Sequence, residues 1–282
     1  MNSLSPFSSR LRAAAAASVL LGLAGCSSKP KNLAGDCQVR FEKLHAKFEK
    51  GRYAAAKEGY DDFVVSCAGT EYAEQAYFEL AESHFRLEEW MEAEEEYDAF
   101  LKEYPNSRRY GETVHYRLAV SMGKQTLSAT RDQSKTLEAI REFEGYVADF
   151  PDSPRADSAK AELERLRGLL ASRDLGVARL YSRMDEPLAA AIYYKHILKD
   201  YGDEVPRRDV VLKLAQCYIR LDQFVEAENQ LAQFDGVAKD DPFREKIKAV
   251  RRELEKEQRR YAREKRQEKK EEQKADSASK SP

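Results

Sequence analysis

Four histidines (His45, His84, His115 and His196), four cysteines and acidic runs such as Glu94-Glu95-Glu96 are the side chains of this 282-residue chain suited to metal binding, nucleophilic attack or proton transfer. A zinc site needs His and Cys ligands at short paired intervals, and these histidines are far apart, with no Cys or Asp cluster beside them. No phosphate-cradling glycine loop, serine nucleophile elbow or H-E-x-x-H stands in the chain. Consecutive glutamates on a helix point in different directions, so the Glu94 run reads as a solvated face and not as an acid–base pair. The pattern predicts a non-enzyme without cofactor or metal, and leaves the cysteines as the chemically informative residues.

Cys26 closes Leu23-Ala24-Gly25-Cys26, behind Arg10, Arg12 and an apolar stretch too short to span a bilayer as a helix. The segment resembles a bacterial lipoprotein signal, which implies that Cys26 is acylated (palmitate among its chains) and becomes the mature N-terminus. Two or more acyl chains hold a protein stably on a bilayer. With Ser27 and no Asp after the cysteine, the resemblance implies the outer membrane, facing the periplasm. The remaining cysteines are Cys37, Cys67 and Cys217. Cys37 precedes the first expected helix and Cys67 follows the second, so an antiparallel hairpin brings them together. A disulfide there contributes about 3 kcal/mol by loop entropy, and two free buried thiols are the alternative. Cys217, beside Tyr218 in a helical pattern, reads as core.

Charged residues make up 35% of the chain and its mean hydropathy is −0.73. Residues 244–274 hold fourteen basic and eight acidic side chains against a whole-chain net of −2, so the body is acidic and the tail basic. That is not a nucleic-acid footprint, which concentrates basic charge on the folded domain. Beyond Leu254 the only large apolar residue is Tyr261. The expectation is a closing helix built on Phe243, Ile247, Val250 and Leu254, followed by a solvated tail in which order fades.

The chain repeats itself. Gly51-Arg52-Tyr53-Ala54-Ala55-Ala56, Glu89-Trp90-Met91-Glu92-Ala93 and Gln223-Phe224-Val225-Glu226-Ala227 share a turn, an aromatic, two residues and an alanine. Ala56 and Ala93 are 37 residues apart, as are Ala190 and Ala227. Apolar residues follow each at helical intervals: Tyr60 and Phe63, Tyr97 and Phe100, Leu231 and Phe234. Paired first helices carry small residues at Ala81, Ala119, Ala178 and Ala215. The form resembles the tetratricopeptide repeat, with Pro105 and Pro151 closing second helices. The fold class expected is all-α, an α-solenoid of about five such helix pairs, with a polar insertion at residues 123–134 and a long helix from Ser153 to Met184. The divisions are a signal peptide at 1–25, a lipidated linker at 26–40, the solenoid at 41–240, and a charged helix and disordered tail at 241–282.

Stacked helix pairs present their first helices along a groove. Phe41, His45 and Phe48 share one face of the first, Phe78, Glu82 and Phe85 repeat the arrangement on the next, and Tyr116 continues it. Such a groove suits extended peptides with aromatic side chains, with Arg86 placed to meet a carboxylate. The alternative is that these aromatics pack between repeats.

Together with the lipoprotein signal, several segments make the chain resemble the BamD family of outer-membrane assembly lipoproteins. They are Glu71-Tyr72-Ala73-Glu74-Gln75-Ala76, Arg131-Asp132-Gln133 with Glu138-Ala139-Ile140, Phe150-Pro151-Asp152-Ser153, Ala190-Ala191-Ile192 and Arg208-Asp209. The resemblance implies a scaffold of the β-barrel assembly machinery. Its partners would be a barrel-forming subunit with periplasmic repeat domains, met by the C-terminal repeats, and unfolded outer-membrane proteins, met by the N-terminal ones. Arg208, with Asp209, is the implied subunit contact. Tyr194 stands where the family usually has Arg, and Gly202 and Cys67-Ala68 replace expected prolines. The competing function is a repeat adaptor for peptidoglycan synthesis or the Tol-Pal envelope machinery.

Overall fold

The computed structural model describes residues 33–279; the signal segment and Cys26 lie outside them. Eleven helices and no strands occur among the described residues. They pair as α1 (Leu33–Glu49) with α2 (Tyr53–Ser66), α3 (Ala73–Arg86) with α4 (Trp90–Glu103), and α5 (Gly111–Lys124) with α6 (Ser134–Asp149). Next come α7 (Ala156–Arg183) with α8 (Pro187–Asp200), α9 (Arg207–Arg220) with α10 (Phe224–Ala232), and the closing α11 (Arg244–Ser279). Each helix packs on the next in sequence, and first helices also touch each other: α1 with α3, α3 with α5, α5 with α7. This is the nearest-neighbour stacking of an α-solenoid.

The repeat alanines explain the stacking. Ala56, Ala93, Ala139, Ala190 and Ala227 on second helices, and Ala81, Ala119, Ala178 and Ala215 on first helices, are all 0% exposed. A methyl group there lets helix axes approach, and large side chains four and seven residues later fill the space beside it. Those are Tyr60 and Phe63, Tyr97 and Phe100, Phe143 and Tyr146, Tyr194 and Ile197, Leu231 and Phe234, every one buried.

The hairpin turns share one backbone device. Gly51, Glu88, Asp185 and Asp222 adopt left-handed φ values of 69°, 60°, 64° and 55°. Each is followed by an amide that reaches back five residues, from Arg52 to Lys47, Glu89 to His84, Glu186 to Tyr181 and Gln223 to Tyr218, at 2.9–3.1 Å. This is the Schellman closure of a helix C-terminus. The third pair instead carries an insertion between Lys124 and Ser134. The buried Gln133 side chain pins it by donating to the carbonyls of Ser128 and Arg131 at 2.9 and 3.0 Å.

Three expectations are corrected. Helix α1 starts at Leu33, inside the stretch expected to be linker, and it already contains Cys37. The reason is that Cys37, Phe41 and Leu44, at i, i+4 and i+7, form one buried stripe, so the apolar face begins at a cysteine. The basic tail does not lose order after Leu254: α11 runs on to Ser279. Glu, Lys, Arg and Gln are good helix formers, and pairs such as Lys265–Glu268 at 2.8 Å add local support. Finally, the insertion is shorter than the expected 123–134, because Gly123 and Lys124 still belong to α5.

Candidate binding surface

The first helices place two glutamates of α3, Glu79 and Glu82, on the buried side, 3% and 4% exposed. An ionised carboxylate survives there only with several donors. Glu79 accepts from Gln75 Nε2 at 2.7 Å and from the Tyr60 hydroxyl, and lies 2.8 Å from His45 Nδ1 across on α1. Glu82 accepts from Arg86 Nε at 2.8 Å, from the Tyr97 hydroxyl at 2.8 Å and from Arg117 Nη2 on α5 at 3.2 Å. The two carboxylates thus tie α1 to α3 and α3 to α5. Burial, followed by the Glu82 charge, pushes the Tyr97 phenol well above its ordinary range, so it stays a donor. The bond to Glu82 raises Arg86 further and keeps it charged.

The aromatics expected in the groove divide. Phe41 is buried at 7%, stacked between His45 at 5.5 Å and Tyr72 at 5.2 Å, and belongs to the core; it leaves the groove set. Phe78 stacks on Tyr110 at 4.3 Å. Phe48 sits edge-on to Tyr53 at 5.4 Å, half-buried. Phe85 meets Trp90 edge-on at 5.2 Å and carries the Arg117 guanidinium over its face at 4.2 Å. Tyr116 leans on Tyr146 at 5.4 Å, with Arg155 over its ring at 5.7 Å. Phe48, Phe78, Phe85 and Tyr116 are all half-buried, and with half-buried His45 and Arg117 and exposed Arg86 they make this side of the first helices a polar–aromatic face.

Sequence reasoning missed Arg117. It follows Tyr116 directly, and its position 35 residues after Glu82, about one repeat, is the signal that links them. Arg86 and Arg117 share one carboxylate, and Arg117 Nε is buried without a partner. Around Glu82 alone, two guanidinium groups thus face one carboxylate.

At the other end, Arg208 and Asp209 stay about half exposed and pair with the start of the closing helix and the turn before it. Arg208 Nη2 donates to Asp241 at 2.7 Å and its guanidinium covers Phe243 at 4.3 Å, while Asp209 takes Lys246 at 2.7 Å. A backbone amide from Phe243, and then Arg208, hold the Asp241 carboxyl below the usual range. Exposed apolar side chains lie on the preceding pair instead: Leu180, Met184, Leu188 and Ile192, 46–61% exposed. Cys37 and Cys67 are joined, with Cα atoms 5.9 Å apart, and Cys217 is a buried free thiol. The histidines stay far apart, each against a carboxylate: His84 on Glu89, His115 on Glu142, His196 on Asp174 and Asp200. Among the described residues no group of three or more His, Cys, Asp or Glu is placed to hold a metal ion, and no helix is long and apolar enough to cross a membrane.

Stacked helix pairs with alanine seams and a polar–aromatic face on their first helices define an α-solenoid repeat protein of the tetratricopeptide type. Residues 34–233 match the family model described as YfiO, outer membrane lipoprotein, and the chain belongs to that family. The "Outer membrane protein assembly factor BamD" of Xylella fastidiosa (strain 9a5c) is 24% identical over 233 residues, covering 78% of this chain and 80% of that protein. The protein of the same description from Pasteurella multocida is 23% identical over 182 residues, 61% of this chain and 70% of that one. Among solved structures, a putative kinesin light chain with TPR-like repeats from Podosopora anserina covers 77% of this chain and 96% of its own at 16% identity, with a TM-score of 0.35.

Proposed function

We propose that this chain is a lipid-anchored scaffold for outer-membrane protein assembly, tethered through acylated Cys26 on the periplasmic side and working by holding partners and not by catalysis. The observation that carries the reading is membership, over residues 34–233, of a family of outer-membrane lipoproteins whose relatives are named assembly factors. The geometry supports a division of labour. The first three repeats receive unfolded barrel proteins at Phe85, Arg86, Tyr116 and Arg117, where the surplus positive charge beside an aromatic ring suits a peptide ending in an aromatic residue with a free carboxylate. The fourth and fifth repeats bind the barrel-forming subunit, using the exposed Leu180, Met184, Leu188 and Ile192 together with the outer edge of Arg208, which is 46% exposed.

Capture from detergent-solubilised outer membrane tests this: a large β-barrel protein with periplasmic repeat domains should co-purify. Cell-wall synthesis or Tol-Pal proteins in its place would overturn the reading. For the peptide face, a labelled peptide ending in phenylalanine should bind the free-acid form in preference to the amide, and Arg86→Gln should remove the preference. Equal binding of acid and amide refutes the carboxylate assignment.

A further inference from the structure

The closing helix carries a charge pattern that the array does not use. Ile247, Val250 and Leu254 of α11 are buried against α9 and α10, and Tyr261 meets Phe224 edge-on at 5.6 Å. With 3.6 residues per turn these four occupy one side of the helix. Arg252, Lys256, Arg259, Arg263, Arg266 and Lys270 recur at alternating intervals of four and three, so they fall within an arc of about 80° on the opposite side. All six are exposed.

Their charge is little neutralised. Glu255 pairs with Arg259 at 3.5 Å from the edge of the arc, and Lys256 reaches Glu257 only at 3.9 Å. Beyond Leu254 the other carboxylates lie toward the docked half, where Glu257 and Glu264 take Arg260 at 3.0 and 3.6 Å and Glu268 takes Lys265 at 2.8 Å; Glu245, on the stripe's side about two turns before Arg252, takes Lys248 at 2.7 Å. Arg263, Arg266 and Lys270 form no ion pair or hydrogen bond among the described residues. Beyond Leu254 the acids thus gather largely on the docked side, where Lys265 and Lys269 also lie, and the face turned away from the array is left to six bases.

We propose that this stripe rests on the anionic phospholipid headgroups of a bilayer. The cations extend in a straight line over roughly 27 Å, at a rise of about 1.5 Å per residue. No apolar side chain interrupts them, so the helix touches charge without inserting. The helix docks on the array through its opposite side, which leaves all six exposed cations to one flat partner. Guanidinium forks match phosphate oxygens, and basic helical segments beside a membrane are drawn to anionic lipid. The inference takes from the family its membrane residence, and depends neither on the assembly role nor on the acyl chain.

The test uses the chain of residues 26–282 carrying Cys26→Ser, which contains every described residue and cannot be acylated. It is floated with vesicles of phosphatidylethanolamine alone or with added phosphatidylglycerol. The chain should float only with the anionic vesicles and detach at high salt. Arg263→Gln with Arg266→Gln should weaken partitioning about thirtyfold. Lys265→Gln with Lys269→Gln removes the same charge away from the stripe and should weaken it less than about threefold; far-UV circular dichroism checks that both keep the helix. Failure to float, equal loss from the two pairs, or preference for soluble polyglutamate over vesicles overturns the proposal, the last assigning the stripe to an acidic polypeptide. Recovery of partners in the capture experiment is a separate readout, so either reading can fail alone.

Discussion

Replacing Glu82 by alanine should be the costliest single polar substitution on the first-helix face. The carboxylate is 4% exposed and serves three donors. Its removal orphans the Tyr97 hydroxyl, whose residue is 0% exposed, at about 1–3 kcal/mol. It also strips the partner from the Arg117 guanidinium, with a side chain only 22% exposed and an Nε that already lacks one. Breaking a buried charge pair by removing one member costs about 3–5 kcal/mol; because Arg117 keeps some contact with water and half-exposed Arg86 adds little, the low end of both ranges applies and the expected total is about 4 kcal/mol. Glu82→Gln keeps an oxygen for Tyr97 but not the charge that pairs Arg117, so it should cost about 3 kcal/mol. In Glu82→Ala/Tyr97→Phe no hydroxyl is left to orphan, so about 1 kcal/mol should return. Urea unfolding followed at Trp90, the single tryptophan and 5.2 Å from Phe85, reports this region even if distant repeats unfold separately. A loss below about 1 kcal/mol for Glu82→Ala would show that Arg117 swings into water and that the carboxylate is not the clasp, and equal losses for alanine and glutamine would show that the Tyr97 bond contributes nothing.

The thiols and the acid limb supply the other predictions. Mass spectrometry of unreduced protein should find Cys37 linked to Cys67, and Cys67→Ser should cost about 3–4 kcal/mol for a separation of 30 residues; two alkylatable thiols would refute the link. Cys217, buried and with its thiol pushed up to about 11 by desolvation, should resist iodoacetamide in the folded protein, and rapid labelling would show an open fifth repeat. Bonds from Lys57 and His84 hold Glu89 below the usual carboxylate range, and those from Ser153, Tyr146 and Arg155 do the same for Glu112. Because the folded values lie below the unfolded ones, this stability is complete above about pH 4.5 and drains away as pH falls through the lowered values. Melting temperature followed from neutral to acid pH should drop more shallowly in Glu112→Gln, and an identical acid limb would refute the assignment.

The repeat architecture was legible in the residues alone because a solenoid is nearly one-dimensional. Ala56 and Ala93, and again Ala190 and Ala227, lie 37 residues apart, and the large side chains four and seven positions after each already state which face of those second helices is buried. The same regularity makes the basic stripe of α11 readable, since its period is that of the helix itself.

Which aromatic on a first helix faces a neighbour and which faces the groove was decided only by tertiary structure. Phe41 and Phe78 occupy equivalent positions one repeat apart, yet Phe41 is core and Phe78 stays half-buried against Tyr110. Their fates depend on how far each helix is rotated against the next, and sequence spacing carries no information on that angle. The same holds for contacts across repeats. Glu82 with Arg117, His45 with Glu79 and Arg208 with Asp241 are separated by 35, 34 and 33 residues. Side chains that far apart in the chain become partners only once the stack brings their helices side by side, so periodicity dictated the scaffold while the packing angles chose the site.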